Sequence, residues 1–384
     1  MREVRRLPGT GLSPIVAPAP ARRSFGREAV EVPQVDEFMA SLQGCASVVM
    51  RKLMIVKPGE KVLIITNPGE TEEISRALAN AARKCGAIAN VVVEEPKRHK
   101  AFADPKVLKA IAAGPDVVLM ILEKDAFLGK DPKGKDESGH GTYIGKNGTY
   151  DHIFAYLLGE EKLRAAWANS INIENFLVVA GVDYEEIRRR GEKIKALIDG
   201  LGDNATVRIR NCGAELTFRI KPGSARVEAG PYDKPGMGGN IPAGEVETNV
   251  LEVNGKLALA GPVETRSERG TFIPKEPIFV RFENNRIGSI TGPESGDLRW
   301  TLEHFRTDLV GPYAETFMLE FGIGLIPLKM SEFIVAAEKK RGSAYVSLNK
   351  KGNGEKLHLD CSLGESPEVL IGETLVLQGG KLLI

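Results

Sequence analysis

His358 and Asp360, in "GEKLHLDCSLGESPEV" near the C-terminus, are the residue types that ligate metal ions. Residues two apart on an extended strand share a face, so the imidazole and carboxylate point one way and Leu357 and Leu359 the other. The same pattern also describes a wet edge strand with a polar outer face. Two carboxylates join them as candidates. Glu245 in "GGNIPAGEVET" sits at a tight turn fixed by Pro and Gly, and Glu320 in "FMLEFGIGLIP" lies in an apolar run ended by glycines. Burying a lone carboxylate is costly unless it is paired, hydrogen-bonded or metal-bound. Each also has a plainer explanation: Glu245 caps its turn, Glu320 pairs with an arginine, and His358 lies on an exposed face.

The elements that must position these residues fall into two kinds. "KVLIIT", "IANVVVEE" and "PDVVLMIL" are strand candidates. They alternate with the helical patterns "EISRALANAARKCGA" and "ADPKVLKAIAAG", which indicates a parallel sheet with helical crossovers. Helical pattern resumes in "DHIFAYLLGEEKLRAAWANS". "FLVVAG" reads as a strand and "DYEEIRRRGEKIKALIDGLG" as a charged amphipathic helix. The Gly- and Lys-rich stretch 124–150 reads as a long surface loop.

Beyond Gly200 and Gly202 the texture changes to short alternating runs, such as "ATVRIRN", "AELTFRIK" and "SAYVSLN", separated by turn residues. Helices are expected near 294–307 and 328–340. The expected organisation is a flexible arm over 1–34, an α/β domain with a mainly parallel sheet over 35–203, and a β-rich α+β domain over 204–384. The second domain carries all four candidate ligands.

Composition narrows the function classes. The chain has 384 residues, with 52 Lys plus Arg against 51 Asp plus Glu. So balanced a charge gives no electrostatic footprint for nucleic acid or an anionic membrane, and no apolar run approaches a membrane span. The four cysteines, Cys45, Cys85, Cys212 and Cys361, are scattered without a CxxC pair. That spacing implies neither a disulfide framework nor a thiolate zinc site, and suits a reducing cytoplasm. The first residues contain arginines but no continuous apolar core, so they read as an extended arm and not a secretory signal. There is no GxxxxGK[ST], GxSxG or HExxH. "TNPGETEE" after the first strand lacks the dinucleotide glycine fingerprint, and "GMGGN" at 236–240 reads as a turn.

The order and wording of "NIPAGEV", "LEFGIGLIP" and "LHLD", with "IVKPGEKVLIITN" and "EISRALANAARKCGA" upstream, resemble the aminopeptidase T family of metallopeptidases over roughly residues 40–384. The resemblance implies an N-terminal α/β domain, a C-terminal domain holding divalent metal (Zn, Mn, Co or Fe, one or two ions) and a homodimer acting on small peptides. It makes Glu245, Glu320, His358 and Asp360 the metal ligands, with Glu245 in the place of a bridging carboxylate. Where that family has a further histidine, after an "EKxxGT" step, this chain has Tyr345 in "EKKRGSAYVSLN". Glu245 and Tyr345 are the catalytic candidates. A phenol is a poor divalent ligand near neutral pH, so weak or mononuclear binding is expected.

A second branch of the same architecture resembles 2,5-dihydroxypyridine ring-cleaving dioxygenases. Those hold one non-haem iron by two histidines and one carboxylate. In that setting His140 and His152 are candidates to contact a small-molecule substrate from the first domain. A third possibility is a non-catalytic relative that binds a peptide or partner chain.

Overall fold

A computed structural model describes residues 41–384 apart from 98–100, 125, 127, 130, 133, 136–140, 151–152, 170, 305–315 and 352–355. The expected arm over 1–34, His140 and His152 therefore lie outside the described residues. The architecture is α/β followed by a β-rich part, as the change of texture along the sequence implies.

The first sheet is parallel throughout, its strands running in the order Gly238–Asn240, Arg164–Asn169, Val117–Leu122, Lys61–Thr66 and Ile88–Val93. Every residue of "VVLMIL" is buried, as a strand covered on both faces requires. The crossover helix Glu70–Lys84 packs Ile74, Leu78, Ala81 and Ala82 inward. It opens with Glu70, Glu72 and Glu73 and closes with Arg83 and Lys84, so its charges complement its dipole. Gly86, at φ +83°, makes the turn into the next strand, a conformation that side chains disfavour.

Three expectations need correction. "LRAAWAN" is not the tail of a helix: the helix stops at Ile153–Gly159 and Arg164–Asn169 is a strand. Its alanines have high helix propensity, but Ala165, Ala166 and Ala168 are fully buried beside Val117–Leu122, and tertiary packing overrides propensity. Arg164 at its start is fixed by two hydrogen bonds to Glu60, at 3.0 and 2.7 Å. "FLVVAG" is not a strand but helix Ile173–Leu177 followed by a 3-10 turn, Val178–Gly181, capped by the Asn172 side chain. A short apolar run does not by itself distinguish a strand from a buried helical turn. The stretch read as a loop, 124–150, contains a small antiparallel sheet of Gly134–Lys135, Gly141–Ile144 and Thr149–Tyr150.

The long helix Tyr184–Leu201 ends at Gly202, and strands then follow in succession. Among the described residues the second sheet has twelve strands, all paired antiparallel. Its spine is the 15-residue strand Glu245–Leu259, which changes partners along its length. Its first five residues pair with Thr316–Gly324, Val250–Gly255 pair with Ala214–Ile220 across a bulge between Val250 and Glu252, and Gly255–Leu259 pair with Ile278–Glu283. Ala344–Lys351 and Lys356–Ser362 continue the sheet beyond Thr316–Gly324 to its edge. The expected helices appear as Gly296–His304 and the short Ile334–Lys339. One strand crosses the sequence boundary: Gly238–Asn240, from the second half, is the edge of the first sheet. Among the described residues no helix is long and apolar enough to cross a membrane.

Candidate functional site

The candidate residues are assembled by strand register. Asn249, Glu320, Ser347 and Asp360 lie opposite one another across four adjacent strands, and Glu247, Gly322, Tyr345 and Ser362 form the next row. Cross-strand partners project to the same face, so Glu245, Glu247, Glu320, Tyr345, Ser347, Asn349, His358 and Asp360 share one side of the sheet. The alternating residues Val246, Phe321, Ile323, Val346, Leu348, Leu359 and Cys361 are buried in the hydrophobic core. The period of two that made "LHLD" suggestive therefore runs across all four strands.

At the outer end of this face, His358 Nε2 lies 3.1 Å from Asp360 Oδ1 and Nδ1 lies 3.1 Å from Asn349 Oδ1. With an oxygen at each ring nitrogen, the imidazolium form is favoured. Burial works against that charge, but Asp360 raises the imidazole to about 9. Burial likewise opposes ionisation of Asp360, yet the His358 charge and the Ser347 hydroxyl hold it down at about 2. His358 keeps 43% of its side chain exposed against 19% for Asp360, so the face opens to solvent chiefly at His358. The backbone behind it is tied down: Asp360 N donates to Glu264, and Arg266 bridges Glu264 and the His358 carbonyl.

Glu320 lies between the two ends. Tyr345 Oη donates to Glu320 Oε1 at 2.7 Å, and burial together with the Asp360 charge raises the Glu320 carboxyl. Burial keeps the Tyr345 phenol well above its ordinary value, so it remains a neutral donor. The inner end holds Glu245, 2% exposed, with Lys339 Nζ at 2.5 Å and Glu338 on the other side of that ammonium at 3.2 Å. Burial raises Glu245 to about 7; Lys339 pulls the other way, and Glu228, its cross-strand neighbour, adds to the rise. Burial and the Glu320 charge push Glu247 to about 8 although Arg226 pairs with it at 2.5 Å. Burial also raises Glu338 strongly. Glu228 itself accepts from Tyr232 Oη at 3.1 Å and from the Asn240 amide.

The glycines of "FGIG" have a steric purpose. A Cβ at Gly322 would lie 2.1 Å from the Tyr345 ring, and one at Gly324 would lie 2.3 Å from the Lys340 carbonyl oxygen and 2.5 Å from that of Glu338. The two positions admit the Tyr345 ring and the 338–340 backbone onto the strand. Because the contacts at Gly324 are with backbone, Gly324→Ala should destabilise the protein by about 3 kcal/mol, the upper end for overpacking. Urea unfolding measures this, and a loss below about 0.5 kcal/mol would mean that the backbone yields there.

Sequence reasoning named Glu245, Glu320, Tyr345, His358 and Asp360, and the structure places all five on this face. It missed Lys339, Glu338, Glu247, Ser347, Asn349 and Glu228. The donor set was tested against a metal ion on two counts. In charge it fits a cation, because buried carboxylates outnumber the cations beside them and Glu245 Oε2 and Glu338 Oε1 have no hydrogen-bond partner. In spacing, among the described residues, no three His, Cys, Asp or Glu side chains stand ready to hold an ion. Each expected ligand is already engaged: Glu245 with Lys339, Glu320 with Tyr345, and His358 with Asp360. The other described histidine, His304, stacks on Trp300 and takes no part.

No family model matches the chain, and no curated protein matches it. Among the solved structures that match it, two share its fold nearly end to end. One is a 2,5-dihydroxypyridine dioxygenase from Pseudomonas putida, with a TM-score of 0.63, 18% identity, and coverage of 90% of this chain and 97% of that one. The other is AmpT from Thermus thermophilus, with a TM-score of 0.59, 16% identity, and coverage of 90% of this chain and all of that one. At these identities the likeness is one of fold: the chain has the architecture common to these two proteins.

Proposed function

We propose that this protein is a metal-dependent hydrolase of aminopeptidase type, working with one divalent ion on small peptides. The observation that supports it best is the row Glu320–Ser347–Asp360 with His358 beside it. Glu320 and Asp360 are two strands apart, about 10 Å between backbones. The small Ser347 between them leaves space for the longer side chains to converge. Rotation of Glu320 away from Tyr345, and loss of the His358 proton, would give one imidazole and two carboxylates. Such an oxygen-rich set suits Mn, Fe or Zn.

When bound, the ion would supply Lewis acidity toward a peptide carbonyl and an activated water. The protein's own groups do the rest. Ser347 orients the Asp360 carboxylate, and Tyr345 holds Glu320 while the ion is absent. Glu264 and Arg266 fix the backbone that carries His358. Glu247, on the same face one row from Glu320, is placed to hold or release the proton that passes between water and leaving amine.

An iron-dependent ring-cleaving dioxygenase is the second reading, favoured by the accessibility of a single His–Asp pair and by the fold shared with such an enzyme. The two separate in one assay. Metal-free protein is loaded with Mn²⁺, Zn²⁺ or anaerobic Fe²⁺. It is then tested for release of p-nitroaniline from its leucyl derivative, and for oxygen uptake with 2,5-dihydroxypyridine. Hydrolysis dependent on added ion is expected. Oxygen uptake without hydrolysis would replace the first reading by the second, and neither activity would leave no support for either.

A further inference from the structure

We propose that Lys339 is the resident cation of the inner half of this face. Its ammonium takes the position a second divalent ion would need, so the protein binds at most one ion, at the Glu320–His358–Asp360 half. This rests on the polar face being the site described under Proposed function.

Three observations carry it. Lys339 is 0% exposed and its ammonium lies between two buried carboxylates, Glu245 at 2.5 Å and Glu338 at 3.2 Å. Each of those carboxylates keeps a second buried oxygen that accepts no hydrogen bond, and among the described residues Lys339 is the cation in contact with them. The ammonium also lies 6.0 Å from the Tyr345 ring centroid, within the range of a cation over an aromatic ring.

The lysine cannot simply swing aside. The Lys339 carbonyl accepts from Ile326 N at 2.8 Å, and Arg341 N donates to the Ile326 carbonyl at 2.6 Å. Its carbonyl carbon lies 2.5 Å from where a Cβ of Gly324 would be. The backbone is thus pressed against the strand, and the side chain has no solvent to enter. An ion bound through Glu245 would have to ligate at roughly 2.0–2.2 Å beside an ammonium already holding the same oxygen. Like charges at that separation in a buried pocket exclude one another. A tethered ammonium also needs no uptake and resists chelators, so Glu245 and Glu338 keep a cationic partner whether or not metal is present.

The test is ion stoichiometry, read by calorimetric titration of Mn²⁺ and by native mass spectrometry on the full chain stripped with chelator. Wild type, Lys339→Met and Glu245→Gln are compared. One Mn²⁺ is expected in the wild type and two in Lys339→Met. Glu245→Gln should retain the wild-type count, with affinity changed less than about threefold. Two ions in the wild type, the same count in Lys339→Met as in the wild type, or loss of the ion in Glu245→Gln would each overturn the assignment. No ion in the wild type but one gained in Lys339→Met would support the lysine's role while removing the one-ion reading of function. Should Lys339→Met not fold, by circular dichroism, the other two proteins decide. An unchanged count of one in both supports the proposal, and none or two ions in the wild type, or a changed count in Glu245→Gln, overturns it.

Discussion

On the one-ion hydrolase proposed above, Asp360→Asn should leave the protein folded, abolish ion binding, and slow hydrolysis of a leucyl substrate by about a thousandfold or more, the several kcal/mol that a metal centre contributes to a transition state. The carboxamide matches the carboxylate in shape. Ser347 can still donate to the side-chain oxygen, and the residue 360 amide can still donate to Glu264. What is lost is charge. Without it, His358 loses the partner that raises it to about 9, and the ion loses one of its anionic donors. Steady-state kinetics alongside metal analysis separates the two effects. A variant that retains its ion and more than about a tenth of its activity would remove Asp360 from the ligand set.

The second large effect concerns pH. In chelator, the thermal stability of the protein should fall steadily from about pH 5 to about pH 8. Glu245 and Glu247 titrate at about 7 and about 8 in the folded protein, against an ordinary value of 4.5. Above 4.5 the folded state therefore binds more protons than the unfolded state, and stability declines as pH rises to those values. His358, raised to about 9, acts in the same direction: its contribution is complete below 6.5 and is lost toward 9. That contribution is screened, because its ring is partly exposed. Asp360 acts oppositely, but its contribution is lost only as pH falls toward about 2, outside this window. Together the two glutamates account for a loss on the order of a few kcal/mol. Added Mn²⁺ should restore stability most at the alkaline end, where the ligands are deprotonated. Scanning calorimetry from pH 5 to 8.5, with and without the ion, reads this directly. A melting temperature that rises with pH in chelator would show the carboxylates to be better neutralised than the geometry indicates.

Much of this was legible in the residues. Alternating strands and helices before Gly200 gave the parallel sheet, and the period of two in "LHLD" gave the shared face of His358 and Asp360. The same period in "AYVSLNK" places Tyr345, Ser347 and Asn349 on that face once the register is known, but register is a property of pairing and not of one strand. Lys339 was hidden for a different reason. In "IVAAEKKRGS" two adjacent lysines end a helix, and only the turn after Lys339 decides which enters the protein. Lys339 is fully buried and its neighbour Lys340 partly exposed. Local pattern also failed at "LRAAWAN", where alanine propensity pointed to helix and the neighbouring strand Val117–Leu122 decided otherwise.

The strand Gly238–Asn240 makes the junction between the two sheets short along the chain. It belongs to the first sheet, yet only four residues separate Asn240 from Glu245. Both ends of that span are anchored: Ile241 N donates to the Trp167 carbonyl, and the Gly244 carbonyl accepts from Leu325 N. Four residues reach at most about 14 Å when fully extended, which bounds how far the first sheet's edge lies from Glu245. Running parallel to its neighbours, the strand delivers the chain to Glu245 from the C-terminal edge of the first sheet, the edge where open parallel sheets take their ligands. The edge of the first sheet and the carboxylate that Lys339 holds are thus near neighbours along the chain, although they belong to different sheets.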